Sequence, residues 1–255
     1  MSELILTQRE GSIMWLTLNR PQEANALSID MAHEFGAAID EAEADSRCHV
    51  VVIQGEGKFF CAGGDVAMMA SADEPAKFLR ELAETMHEGL VRLARSRLIT
   101  VAVVHGPAAG AGLGIVLNAD VVIASPSAVF LSAYATVGLT PDCGVSYLLP
   151  RVVGPRRAAQ MSLLGRVVTA DEALDWGLVT EVVAAPELTQ RARELGEQLG
   201  GGANHILGPT KRLLTSGQTE GYVAHLADEV ETISEMISHQ QSQELLAAFV
   251  ARSKK

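Results

Sequence analysis

Two glycine-rich stretches carry the residue types from which an anion-stabilising site is built. "HGPAAGAGLGIVLNAD" (His105 to Asp120) places Gly106, Gly110, Gly112 and Gly114 where a buried strand pattern runs into a helix. "FCAGGD" places Gly63 and Gly64 after the preceding strand pattern. A helix starting near Gly110 exposes unpaired N–H groups and partial positive charge, and small residues let a carbonyl approach the backbone. The N–H of Ala111 could donate to a developing oxyanion, with a second donor from the Gly63–Gly64 turn. The competing reading gives these glycines only a tight turn and close helix packing. A dinucleotide fingerprint fails because the sixth position is Ile115, and no Gly-Lys-Ser/Thr of a P-loop is present.

Other reactive side chains are less committed by spacing. Asp142, after Pro141 in "TPDCGVSY", is placed equally to cap a helix or to act as a base in an apolar pocket. Ser146 lacks a Gly-x-Ser-x-Gly frame. Cys61 and Cys143 border the same region without a paired base and read as small buried hydrophobes. No cysteine pattern suggests a metal, and three unpatterned cysteines suit a reducing compartment.

The elements that must position these turns are legible from periodicity. "LILTQRE" and "SIMWLTLN" alternate as strands; Ser28 should cap a helix from Ile29 to about Ala44; "HVVVIQG" is a buried strand and "EGKFFCAGGDVAMMA" a loop ending in a turn. Residues 76–95 form an amphipathic helix, followed by the strands "LITVAVV", "DVVIAS" and "AVFLS". Helices dominate from about Val145, interrupted by the strand "GLVTEVV", and the tail from about Thr189 to Ser253 is almost wholly helical. Strand, strand, helix recurring without a strict period implies an α/β fold with parallel pairing and helices outside. With 31 acidic against 20 basic residues, the net charge of −11 disfavours nucleic-acid binding. No leader pattern or membrane span is evident, so a cytoplasmic protein is expected.

"LNRPQEANALS", "GEGKFFCAGGDV", "HGPAAGAGLGIVLNAD", "VGLTPDCGVSYLLPRVVG" and "EALDWGLVTEVV" resemble, in order and spacing, the crotonase superfamily of enoyl-CoA hydratases and isomerases. The match runs from the first strands to about Val183, and the final helices ending "AFVARSKK" are similar too. The resemblance implies a spiral of ββα repeats over residues 1–195 holding an acyl-CoA site, and a helical oligomerisation region over 196–255. It implies homotrimers, often paired into hexamers, and no metal or other cofactor beyond the coenzyme A of the substrate. Neither a nucleic-acid nor a membrane partner is expected.

Carried over position by position, the resemblance makes Gly64 and Ala111 the two oxyanion donors. Ala24 falls where the loop backbone meets the adenine of CoA, and Ala62, Asp65 and Val66 fall along the CoA channel. Lys211, Lys254 and Lys255 could meet CoA phosphates, the last two from a neighbouring chain, though surface solvation is the favoured reading of each taken singly. The two glutamates of the hydratases are missing: Gly114 and Tyr134 stand in their places. Hydration needs one group to activate water and another to deliver a proton, so the resemblance implies at most weak hydratase activity. Asp142 sits where isomerase-type members carry an acid, which implies double-bond isomerisation by a single base. In the alternative, Asp142 is a nucleophile and His87 the base of dehalogenase-type hydrolytic chemistry, with Tyr134 as a pocket aromatic. A third reading is an acyl-CoA binder without catalysis.

Overall fold

A computed structural model describes residues 3–253 of the chain. Strand β1 (Ile5–Glu10) turns at Gly11 and pairs antiparallel with β2 (Ile13–Leu18). From β2 the sheet is parallel, adding β3 (Val50–Gly55), β4 (Ile99–Val104), β6 (Val121–Ala124) and β9 (Glu181–Val182). A small second sheet combines β5 (Ala108–Ala109), β7 (Val129–Leu131) and β8 (Val168–Thr169). The mixed α/β architecture expected from the recurring strand–strand–helix pattern is the one observed, with helices predominating after residue 145.

Both faces of the main sheet are covered, which explains the near-continuous apolar runs of its central strands. Val51, Ile53, Ala102 and Val104 point into the main core beneath α1 (Ile29–Ala44) and α3 (Pro75–Arg95). The alternate residues Val50, Val52, Val101 and Val103 face the other way, with Leu188 and Ala192 of α8 (Leu188–Gly201). The expected boundary at 195/196 therefore falls inside α8, a helix that closes one face of the sheet. Helices α9 (Leu207–Thr215), α10 (Thr219–Met236) and α11 (Gln240–Ser253) complete the chain. Helix α10 packs along α3, while α11 reaches α2 (Val66–Ser71). Helix α2 replaces the expected loop and turn: the Asp65 carboxylate accepts from Met68 N at 3.0 Å and caps it.

Because β3 and β4 are parallel neighbours, the loops that follow them leave the same sheet edge side by side. Two hydrogen bonds tie them together, Phe60 N to Pro107 O (3.1 Å) and Ala109 N to Cys61 O (2.9 Å). A Cβ at Gly112, in α4 (Ala111–Leu117), would lie 2.3 Å from Cys61 O, so only glycine allows this approach.

Candidate active site

The two glycine turns meet. A Cβ on Gly63 would stand 3.4 Å from the nitrogen of Ala111 and 3.5 Å from the Cα of Gly110, so the turns are in contact. Among the described residues, no hydrogen bond uses the N–H of Gly64 or of Ala111. Both turns line one cavity of about 650 Å³, counting its open mouth. Its walls are largely apolar, with Leu82 and Met86 from α3, Ile233 from α10 and Phe249 from α11. A thioester there meets little competing water.

Asp142 lines the same cavity and supplies its one carboxylate among the described residues. It is 5% exposed, and its Oδ1 accepts from the Tyr134 hydroxyl at 2.5 Å. Tyr134 also lines the cavity, at the start of the 3₁₀ turn Tyr134–Val137. Burial and the neighbouring carboxylate of Asp142 push the phenol pKa well above its ordinary value. The phenol therefore stays neutral and donates. The helix-cap reading of Asp142 does not hold. Helix α5 (Val145–Val153) has Gly144 as its N-cap residue, two positions later, and the Asp142 carboxylate turns into the cavity.

Ala62 and Val66 also line the cavity, whereas Ala24, Asp65 and His87 do not. Ala24 uses its carbonyl to accept from Ala62 N (3.0 Å), so this backbone holds the segment leading into the Gly63–Gly64 turn. Besides capping α2, the Asp65 carboxylate pairs with Arg20 at 3.0 Å. The imidazole of His87 accepts the Cys143 N–H at Nε2 (2.9 Å), which occupies the lone pair a general base would need. Burial holds its pKa below the ordinary imidazole value, opposed in part by the Asp142 carboxylate. Lys211 is buried rather than set out for phosphates: its Nζ donates to Leu93 O, Leu98 O and Asp120 Oδ2, the last at 2.8 Å. Asp120 also accepts from Thr100 N (2.8 Å) and so anchors the turn before β6. Lys254 and Lys255 lie outside the described residues.

One donor each from His87, Asp142 and Cys143 lies within 4.8 Å of the others. One atom of each of two of these groups is already engaged: Nε2 of the imidazole accepts from Cys143 N, and Oδ1 of the carboxylate accepts from Tyr134. Burial also raises the Cys143 thiol well above its ordinary pKa, and that of Cys61 to about 12. The cluster has no ready thiolate for a metal.

Sequence reasoning missed Glu229. This carboxylate on α10 is 4% exposed, and burial pushes its pKa up to about 7 against opposing hydrogen bonds from Ser146 and Gly144. It shares a buried stripe with Leu226, Val230 and Ile233. A lone acid on the apolar side of an amphipathic helix was the available signal.

A sequence profile described as Enoyl-CoA hydratase/isomerase matches residues 8–255. The chain belongs to that family. Among relatives, it is 36% identical over 221 residues to the 1,2-epoxyphenylacetyl-CoA isomerase of Escherichia coli K12, covering 86% of this chain and 84% of that protein. It is 32% identical over 247 residues to 4-chlorobenzoyl coenzyme A dehalogenase-2 of an Arthrobacter species, covering 96% and 90%. The crystal structure of an enoyl-CoA hydratase from Bacillus halodurans superposes with a TM-score of 0.90 at 26% identity, over 96% of this chain and all of that one. The enoyl-CoA hydratase/isomerase fold is therefore shown along nearly the whole length, while the named relatives perform different reactions on it. Among the described residues, no helix is long and apolar enough to cross a membrane.

Proposed function

We propose that the protein moves the double bond of an enoyl-CoA thioester, using Asp142 as the single base. The observation that carries this reading is the lone carboxylate of Asp142 in an apolar cavity that also presents the free N–H groups of Gly64 and Ala111. The thioester oxygen of a 3-enoyl-CoA accepts from both N–H groups. Asp142 takes a proton from C2, the C2 electron pair becomes part of a dienolate, and negative charge collects on the thioester oxygen. The same carboxylate returns the proton at C4, giving the 2-enoyl isomer with no net gain or loss of atoms. One base suffices for this chemistry, whereas hydration needs two groups, and Gly114 and Tyr134 stand where the hydratase glutamates are expected. The reading asks for no cofactor beyond the coenzyme A of the substrate.

A nucleophilic role for Asp142, in line with the name of the dehalogenase relative, requires a base to activate water. His87 has its Nε2 engaged with Cys143 N–H, which favours proton transfer over ester hydrolysis. Exposed Leu163, Leu164, Leu213 and Leu214 support self-association into the trimers or hexamers that the resemblance implies.

The test is a panel of 3-enoyl, 2-enoyl and aryl-CoA thioesters with the unmodified protein and Asp142→Ala. Isomerisation of a 3-enoyl-CoA that falls at least about 100-fold in Asp142→Ala is the expected result. Hydration of a 2-enoyl-CoA at a full enzymatic rate, or isomerisation indifferent to the substitution, overturns the reading.

A further inference from the structure

The segment Asp142–Cys143–Gly144 is held one residue at a time by side chains from three separate parts of the chain. The Tyr134 hydroxyl, in the turn after β7, donates to the Asp142 carboxylate at 2.5 Å. His87 of α3 accepts the Cys143 N–H at 2.9 Å. Glu229 of α10 accepts the Gly144 N–H at 2.8 Å through Oε2, while its Oε1 accepts from Ser146 N (3.2 Å) and Ser146 Oγ (2.5 Å). The backbone needs such restraint. Cys143 sits at φ +54, a left-handed conformation unfavourable for a residue with a side chain. Such a conformation persists where surrounding contacts over-determine it.

We infer that Glu229 is a positioning residue for Asp142, fixing the backbone from which the base projects into the cavity. The inference rests on the proposed role of Asp142 and extends it to a side chain that does not line the cavity. Glu229 takes up the N–H groups of Gly144 and Ser146 at the start of α5, a place where an N-cap side chain from within the turn would normally serve. The N-cap residue here is a glycine, so the cap comes from another helix. The carboxylate thereby ties the start of α5 to α10, and the reach of Asp142 into the cavity follows from where α5 starts. Ser146 Oγ, which also lies 2.7 Å from His225 Nε2, completes the acceptor's surroundings. A shift of about 1 Å in a catalytic group can cost on the order of 100-fold in rate without altering substrate binding.

The experiment compares Glu229→Ala, Glu229→Gln, Asp142→Ala and the double variant Asp142→Ala/Glu229→Ala in full-length protein, with a 3-enoyl-CoA as substrate. Glu229→Ala should lower kcat about 10- to 100-fold with KM within about 3-fold. Glu229→Gln keeps one acceptor oxygen, enough for one of the two N–H groups, and its kcat should fall between those of Glu229→Ala and the unmodified protein. In the Asp142→Ala background, Glu229→Ala should cost less than about 2-fold, because the two act as one unit. An unchanged kcat in Glu229→Ala, or an equal loss with and without Asp142, overturns the inference. Activity that survives Asp142→Ala overturns the proposed base instead, and so separates the two failures. Amide hydrogen exchange gives a readout independent of turnover and of any single variant's yield. Protection of Gly144 and Ser146 should fall in Glu229→Ala, and Glu229→Gln, with its single acceptor oxygen, should retain protection at one of the two; unchanged protection in Glu229→Ala also overturns the inference.

Discussion

Gly114 and Cys143 are packed so closely that no side chain fits between them. A Cβ on Gly114 would stand 2.6 Å from the Cβ of Cys143 and 2.7 Å from its carbonyl oxygen. Gly114 lies where the resemblance puts the first hydratase glutamate, so the turn bearing Asp142 occupies the space such a residue would need. One acid position excludes the other. Gly114→Glu is expected to give no hydration of a 2-enoyl-CoA, and Gly114→Ala should destabilise by about 1–3 kcal/mol through overpacking against backbone. Urea midpoints and a hydration assay check both, and a soluble Gly114→Glu protein that hydrates would refute the exclusion.

Tyr134→Phe removes the hydroxyl that holds Oδ1 of Asp142 and leaves the ring in the cavity wall. A hydrogen bond to a charged group contributes about 1.5–3 kcal/mol. The expected effect is a kcat about 10-fold lower with KM changed less than about 3-fold. If the hydroxyl instead serves substrate binding, KM rises while kcat holds, and steady-state kinetics separates the two.

Glu229 gives the protein a stability term with an unusual sign. Its folded pKa of about 7 lies above the ordinary 4.5, because burial penalises the carboxylate. Between those values the folded chain keeps a proton that the unfolded chain releases. The term is fully present below about pH 4.5, declines across the window and is lost above about pH 7. From the size of the shift it is on the order of 3 kcal/mol. His87 acts oppositely: its pKa is lowered by burial, so its contribution is lost as pH falls below the ordinary imidazole value. Denaturation midpoints of unmodified protein and Glu229→Gln across pH 4.5–8 isolate the carboxyl. The gap between the curves should change steadily in favour of the variant as pH rises, and parallel curves would exclude Glu229 as the source.

Lys211→Met should leave KM for the acyl-CoA unchanged while costing about 3 kcal/mol of stability. The substitution removes a donor from the carbonyls of Leu93 and Leu98, of which Leu93 O keeps Ser96 N, and takes the ion-pair partner from Asp120, which keeps the Thr100 N–H. A raised KM at unchanged stability would restore this lysine to the phosphate-binding role considered from the sequence.

The strands that carry the glycine turns were legible because their alternation reports two buried faces, and Ser28 was legible because its cap is local: Met31 N donates to its Oγ at 3.2 Å. Helix α2 was hidden by the glycines before it, and β5 and β8, two residues each, are too short for any periodicity to register. The start of α5 near Val145 was legible, but its cap was assigned to Asp142 rather than Gly144 because Cys143 and Gly144 both adopt positive φ, a turn that a cysteine does not advertise. For Lys211, Glu229 and His87 the residue type was visible, but the partner was not. Each is defined by groups dozens of positions away in the chain, and sequence patterns within one element carry no information about those distances.

The third tether of the 142–144 turn arrives late. Glu229 follows Gly144 by 85 residues, and α10 is the penultimate helix. During synthesis the sheet, the glycine turns and Asp142 itself all emerge from the ribosome before their final brace exists. A chain cut short before α10 can therefore own every cavity-facing group of the sheet edge and still lack the brace on the segment that carries Asp142. Until α10 is in place, that turn keeps only the tethers from Tyr134 and His87.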